Sequence, residues 1–298
     1  MIKAACIAAL FALPLLAGCG SSTQGASNPA PATGATGGLT AQVASSDLAV
    51  GTDRFTFGII DNDRPVTVPS ANLEFLRIRG STGTVVERRP ARFSSFTQGL
   101  KHDAANSAAF EIKGVYVAYP MFHQAGKWGT EIRFAYRGKQ RVLRATFTVS
   151  RHSQSPLVGS PAPRSHNPTT AQKPAYLLDS GRPPDDMHKL SIASAIAQHK
   201  PLVIIFATPG FCESRLCGPE TQIVQGLEKI YRSRVNFIHI EIYKNANPQN
   251  GYAPTVTQWG LQTEPWVFVV NRRGIISAKF EGPTPANEIE PAINRDLR

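Results

Sequence analysis

The chain has 298 residues, 42% hydrophobic and 18% charged, which is enough for about two domains with real cores. Its formal net charge is +11, but the basic residues are scattered and no run of five or more occurs. That pattern argues against a nucleic-acid partner and describes an ordinary basic surface, compatible with anionic lipid or wall polymer.

In chain order, Lys3 forms a short positive region, and residues 4–16 an apolar run of signal-peptide length, too short to span a bilayer. The run ends in Leu16-Ala17-Gly18-Cys19, which resembles a bacterial lipoprotein lipobox. The resemblance implies a signal peptide over residues 1–18, cleavage before Cys19, and lipidation of its thiol. The chain would then sit at the cell membrane by a lipid anchor, on the extracytoplasmic face. The Gly/Ser/Ala/Pro/Thr-rich stretch that follows reads as a flexible tether within residues 19–47, with a reach on the order of 25 Å.

Residues 48–150 carry short alternating runs at 54–60, 73–78, 115–119, 131–136 and 142–149, separated by turn signals such as Asp61-Asn62-Asp63 and Arg137-Gly138-Lys139. Period-two alternation without helical period predicts an all-β, immunoglobulin-like sandwich. Trp128 is expected in its core. His102 and His123 sit alone and form no metal constellation. Residues 151–174 are rich in Pro, Ser, His and Asn; the prolines fix backbone angles and remove donors, so this segment reads as a semi-rigid linker.

Residues 175–298 alternate between helical and strand patterns. Residues 191–199 read as a short helix capped by Ser191, and 201–207 (PLVIIFA) as a central strand buried on both faces. A helix is expected over 219–232 with Ile223, Leu227 and Ile230 on one face, and strands over 235–242, 266–270 and 275–280. A closing helix covers 286–297. The order predicts an α/β sheet ending in an antiparallel hairpin.

This region resembles the thioredoxin-like fold. The residues that carry the resemblance are FATPGFC (206–212) at a strand end, Glu264-Pro265-Trp266 at the start of a later strand, and the Asn271-Arg272-Arg273-Gly274 hairpin. A thioredoxin-like domain behind a sandwich on a lipoprotein is similar to thioredoxin-like lipoproteins of Gram-positive bacteria. The resemblance implies thiol–disulfide exchange, with Pro265 in cis presenting its backbone to a substrate chain beside the sulfurs. Protein thiols and disulfides would be the partners.

The cysteine arithmetic bears on the same point. Of Cys6, Cys19, Cys212 and Cys217, only the last two remain as thiols after processing and lipidation. Their spacing is Cys-x4-Cys, where the family has Cys-x-x-Cys. On one helix, residues five apart are turned by about 140° and separated by about 7.5 Å of rise, outside the roughly 4.4–6.8 Å between Cα atoms that a disulfide needs. Cys212 must therefore lie in the loop before the helix, with Pro219 in the first helical turn. Cys212 is the preferred nucleophile and Cys217 the resolving thiol. The alternative alignment, Cys217-Gly218-Pro219-Glu220, makes Cys217 the nucleophile with Glu220 in place of a second cysteine.

A purely structural staple is the competing reading, although a loop of about six residues stabilises by only about 2 kcal/mol in the chain-entropy model. A metal site would need ligands beyond two thiolates, and neither His199 nor His239 has helpful spacing. A copper-assembly family with this fold uses Cys-x3-Cys and a late histidine, which this chain lacks. No metal and no cofactor are expected. A thiol peroxidase is disfavoured because the residues before Cys212 lack the Pro-x-x-x-[Thr/Ser]-x-x-Cys arrangement. The preferred function is a membrane-anchored thiol–disulfide oxidoreductase; the alternative is a redox-inert, thioredoxin-like adaptor lipoprotein with a structural disulfide.

Overall fold

The computed structural model describes residues 33–34, 38–96, 113–212 and 216–298. The signal segment, Cys19 and His102 lie outside the described residues. The N-terminal region is built from β1 (Thr33–Gly34), β2 (Leu39–Val43), β3 (Gly51–Thr52), β4 (Phe55–Asp61), β5 (Arg64–Val66) and β6 (Ser70–Arg79). It continues through β7 (Thr82–Ser95), β8 (Gly114–Ala118), β9 (Met121–Phe122), β10 (Gly126–Tyr136) and β11 (Lys139–Val149).

Alternation governs this region. Phe55, Phe57 and Ile59 on β4, Leu73 and Phe75 on β6, Trp128, Ile132 and Phe134 on β10, and Leu143 and Phe147 on β11 all face one core. Trp128 is buried as expected, edge-to-face with Phe122, its indole N–H donating to the carbonyl of Gln124. The strands do not form the two separate sheets of an immunoglobulin-like sandwich. They make one hydrogen-bonded path in the order β1-β11-β10-β6-β7-β8-β4-β2, with β5 on β4 and the small β3–β9 pair alongside. Because β2 also lies against β11, the sheet curls back on itself into a barrel-like form. Strand length and a bulge allow this: β10 and β11 pair over their whole lengths, and the β6–β7 register shifts between Phe75 and Leu76, which increases local twist.

The C-terminal region contains α1 (Ile192–Ala197), β12 (Leu202–Ala207), α2 (Cys217–Tyr231), β13 (Asn236–Glu241), α3 (Pro254–Gln258), β14 (Trp266–Val270), β15 (Ile276–Glu281) and α4 (Ala286–Asp296). Its sheet runs β13-β12-β14-β15, with β12 parallel to β13 and β14 antiparallel to both neighbours. This arrangement agrees with the thioredoxin-like expectation. Every residue of β12 and β14 is buried, because α2 and α4 cover one face and α1 and α3 the other. Ser191 caps α1 by accepting from the Ser194 amide. On α2 the buried face is Ile223, Val224, Leu227 and Tyr231; Ile230, expected inside, is 44% exposed.

Two stretches differ from the sequence reading. Residues 39–43, placed in the tether, form β2, with Leu39, Ala41 and Val43 in the core. The Pro-rich stretch 151–174 is fastened to the α/β sheet: Gly159 and Ala162 amides donate to Ile276 and Gly274, and the Ile276 amide donates to Ser160. Asp47 accepts from the amides of Gln154 and Ser155 and from the hydroxyls of Ser153 and Ser155.

The two regions share a polar and apolar interface. Phe96 and Val115 from the β region are buried in the same core as α2 and α4. The Arg54 guanidinium makes a two-pronged pair with Glu288, at 2.9 Å for each contact, and donates to the carbonyls of Glu281 (2.8 Å) and Pro283 (2.9 Å). The buried Glu281 carboxylate accepts from the amides of Ser46 and Asp47, and from the hydroxyls of Ser46 and Thr263.

Candidate functional site

The apolar strand β12 delivers the chain to the sheet edge at Ala207, and Thr208-Pro209-Gly210 turns it away. Thr208 is buried with its hydroxyl 3.3 Å from that of Ser180, and the Ser180 hydroxyl accepts from the Gly210 amide at 3.0 Å. A Cβ on Gly210 would stand 2.7 Å from the Ser180 carbonyl oxygen, so the close approach of segment 179–181 requires glycine here. The Phe211 amide donates to the Thr208 carbonyl and closes the turn. Cys212 follows, half-buried and outside any helix.

Cys217 is the first residue of α2 and is fully buried. The geometric requirement that Cys212 precede the helix is met. The two cysteines are not bonded to each other. The backbone N–H of Cys217 donates to Cys212 Sγ at 3.3 Å, and both sulfurs and a carboxylate oxygen of Glu264 lie within 4.8 Å of one another. The Glu264–Pro265 peptide is cis, and the Pro265 carbonyl accepts from Gly282 at the end of β15. Cys212, Cys217 and the Glu264-Pro265 turn are thus brought to one place. Trp266 points away into the opposite core, stacked on Phe268.

The electrostatics separate the two thiols. Burial, together with a hydrogen bond to the Cys212 sulfur, pushes the Cys217 thiol far up, so it holds its proton. Cys212 instead faces the start of α2, where the N-cap Leu216 offers no side-chain acceptor to the first-turn amides. A helix N-terminus carries about half a positive charge, and the amide hydrogen bond brings that field to the Cys212 sulfur, against the nearby Glu264 carboxylate. Glu220 sits in that first turn but does not cancel the field at neutral pH. Burial pushes its carboxyl up to about 8, against the opposing hydrogen bond from the Thr284 amide and the charge of Arg54.

Beside the loop, Phe211 is 41% exposed and packs edge-on to Tyr243, which stacks on the exposed Tyr252. Against β13 lies a polar cluster that sequence reading did not assemble. Asp179, Asp185, His188 and His239 converge, with His239 Nδ1 2.8 Å from Asp185 Oδ2 and His239 Nε2 3.1 Å from the Ala207 carbonyl. Burial works against a charged ring, yet Asp185 pushes His239 up to about 9. Burial likewise opposes the Asp185 charge, but the two histidines hold its carboxyl well below the usual carboxylate range. In sequence His239 has no helpful spacing to another ligand, and Asp179, Asp185 and His188 form no recognisable motif. The roles of Ser180 and Glu264 were also missed, since each acts through a contact distant in sequence.

No family model matches the chain, and no curated protein matches it. Among solved structures, it is similar to a thiol:disulfide interchange protein of the thioredoxin family from Chlorobium tepidum TLS, at 18% identity and a TM-score of 0.34, covering 48% of this chain and 100% of that one. It is also similar to a thioredoxin-like protein solved in the oxidized form, at 15% identity and a TM-score of 0.27, covering 33% of this chain and 78% of that one. A third is Trgpx in apo form, at 11% identity and a TM-score of 0.27, covering 42% of this chain and 97% of that one. At these identities and scores the likenesses assign neither an activity nor a partner to this chain.

Proposed function

We infer that the chain is a thiol–disulfide oxidoreductase acting on protein thiols and disulfides. The observation that carries this reading is the asymmetry of the pair. Cys212 is reachable and accepts the Cys217 amide at the helix start, while Cys217 is buried with its proton held. The Cys212 thiolate attacks one sulfur of a partner disulfide; that S–S bond breaks, and the other partner sulfur leaves as a thiolate. Cys217 then gives up its proton to the departing sulfur or to water and attacks Cys212 Sγ. The mixed disulfide breaks, the second partner thiol is released, and two electrons have passed to the partner as Cys212–Cys217 forms. The reverse sequence oxidises a partner dithiol.

The cis Glu264–Pro265 turn beside the sulfurs offers backbone to an extended chain, and the exposed Phe211 and Tyr252, with the half-buried Tyr243 between them, offer it apolar contact. The Leu16-Ala17-Gly18-Cys19 sequence supports anchoring by lipid on Cys19 at the extracytoplasmic face of the membrane. Among the described residues no helix is long and apolar enough to cross a membrane.

The second reading, a redox-inert adaptor, is favoured by the Glu264 carboxylate near both sulfurs, which opposes a thiolate on either. Equilibration of the full chain in glutathione and dithiothreitol buffers, with free thiols counted by alkylation and mass, separates the two. The oxidoreductase reading expects a potential within about −270 to −120 mV, the span of exchange catalysts. A value below about −300 mV, or a pair that never oxidises, supports the adaptor instead.

A further inference from the structure

The cluster of Asp179, Asp185, His188 and His239 is used by none of the thiol chemistry. We propose that these four side chains form a closed binding site for one divalent transition-metal ion of the zinc class.

Two imidazole nitrogens and two carboxylate oxygens lie within 4.8 Å of one another, a donor set that suits such an ion. In a tetrahedral site with bonds of about 2.0–2.2 Å, ligand atoms stand roughly 3.3–3.5 Å apart. The nitrogen–oxygen separations here are 2.8 Å for His239 Nδ1 to Asp185 Oδ2 and 3.0 Å for His188 Nε2 to Asp185 Oδ1. They are 3.6 Å for His188 Nε2 to Asp179 Oδ2 and 3.9 Å for His239 Nδ1 to Asp179 Oδ2. The two Asp185 contacts run to different oxygens, so that carboxylate spans both imidazoles, and the Asp179 contacts lie just beyond the expected spacing.

An independent observation points to a missing partner at the centre. His188 is 2% exposed, yet its Nε2 makes no aligned hydrogen bond even to the carboxylate oxygen 3.0 Å away. The charges of His188 and Asp185 attract at this distance, but the ring nitrogen lacks an aligned hydrogen-bond partner, and a shared cation would take both donor atoms directly.

The surrounding contacts orient the donors. The Nε2–H of His239 donates to the Ala207 carbonyl, so Nδ1 faces the carboxylates, and an incoming cation displaces the proton that Nδ1 otherwise shares with Asp185. Asp179 accepts from the amides of Gly181 and Asp185, and Asp185 accepts from the amide of Met187. A cavity of about 320 Å³, lined in part by His188, His239, Glu241 and Tyr243, borders the cluster and gives an entry path. With four protein ligands the site leaves no open position, so the ion is a structural clip. It fastens segment 179–188, whose Ser180 holds Gly210 in the cysteine loop, to β13.

The test is titration of the chelator-treated full chain with Co2+, followed by visible absorption, in the natural chain and in a Cys212→Ser/Cys217→Ser variant. Both are expected to bind one equivalent with the intense visible bands of tetrahedral cobalt, displaced by zinc, and without thiolate charge-transfer bands in the double variant. His188→Ala and Asp185→Asn are expected to lose that equivalent. X-ray absorption of the zinc-loaded double variant is expected to show a nitrogen/oxygen shell with two imidazoles, which decides the matter even if a ligand variant does not fold. The proposal is overturned if no stoichiometric binding occurs, if binding disappears with the cysteines, or if the folded ligand variants bind as tightly as the natural chain.

Discussion

Replacing Arg54 by alanine tests whether the β region and the α/β region stand or fall together. The guanidinium is 5% exposed and Glu288 13%, so this pair is desolvated and outside the range of a surface ion pair. Removing the cation leaves the Glu288 carboxylate, among the described residues, with the Tyr119 hydroxyl, near the buried Glu220, and strips the carbonyls of Glu281 and Pro283 of a donor. Breaking a buried pair from one side costs about 3–5 kcal/mol, and the Arg54→Ala variant is expected to lose that much. In thermal unfolding followed by circular dichroism, this is a fall of roughly 10 °C for a chain of this size. The variant Arg54→Met/Glu288→Leu is expected to recover part of the loss, because it leaves no uncompensated charge. A loss below about 1 kcal/mol for Arg54→Ala, the range of an exposed pair, would refute the reasoning.

The buried acid Glu220 makes stability depend on pH. Below its unfolded value of 4.5 both states hold the proton; between there and about 8 only the folded state does, so stability falls across that window. Glu220→Gln is expected to remove this dependence. Its stability relative to the natural chain should rise between pH 5 and pH 8 in urea unfolding, and an unchanged difference would count against a neutral buried acid. Gly210→Ala places a Cβ 2.7 Å from the Ser180 carbonyl, with an expected cost of about 1–3 kcal/mol and a changed rate of Cys212 alkylation. Unaltered stability and rate together would show that this close approach does not set the loop.

The legible parts of the fold are those whose signal is local. The run 202–207 is apolar throughout because both faces of its strand are covered. The cysteine pair stood out by arithmetic, and helix geometry alone placed Cys212 in a loop. β7 is absent from the alternating runs because only one of its fourteen residues, Ala91, is buried, and Arg88, Arg89, Pro90 and Arg92 carry no apolar alternation. Ile230 was misassigned because spacings of 4 and 3 fit a broad stripe, while packing against β13 and α4 selects Val224 and Tyr231. Arg54 and Glu288 are 234 residues apart and look like surface charges until the two regions meet. His239 and Asp185, 54 residues apart, likewise become a pair only when segment 179–188 folds across β13.

The most direct measurement of the central claim is covalent capture with Cys217→Ser. When this variant is mixed with a disulfide-bearing polypeptide, a mixed disulfide is expected to accumulate on Cys212, identified by mass, while the natural chain releases its partner as the Cys212–Cys217 bond forms. No adduct on Cys212, or an adduct equally persistent in the natural chain, would contradict exchange through this pair.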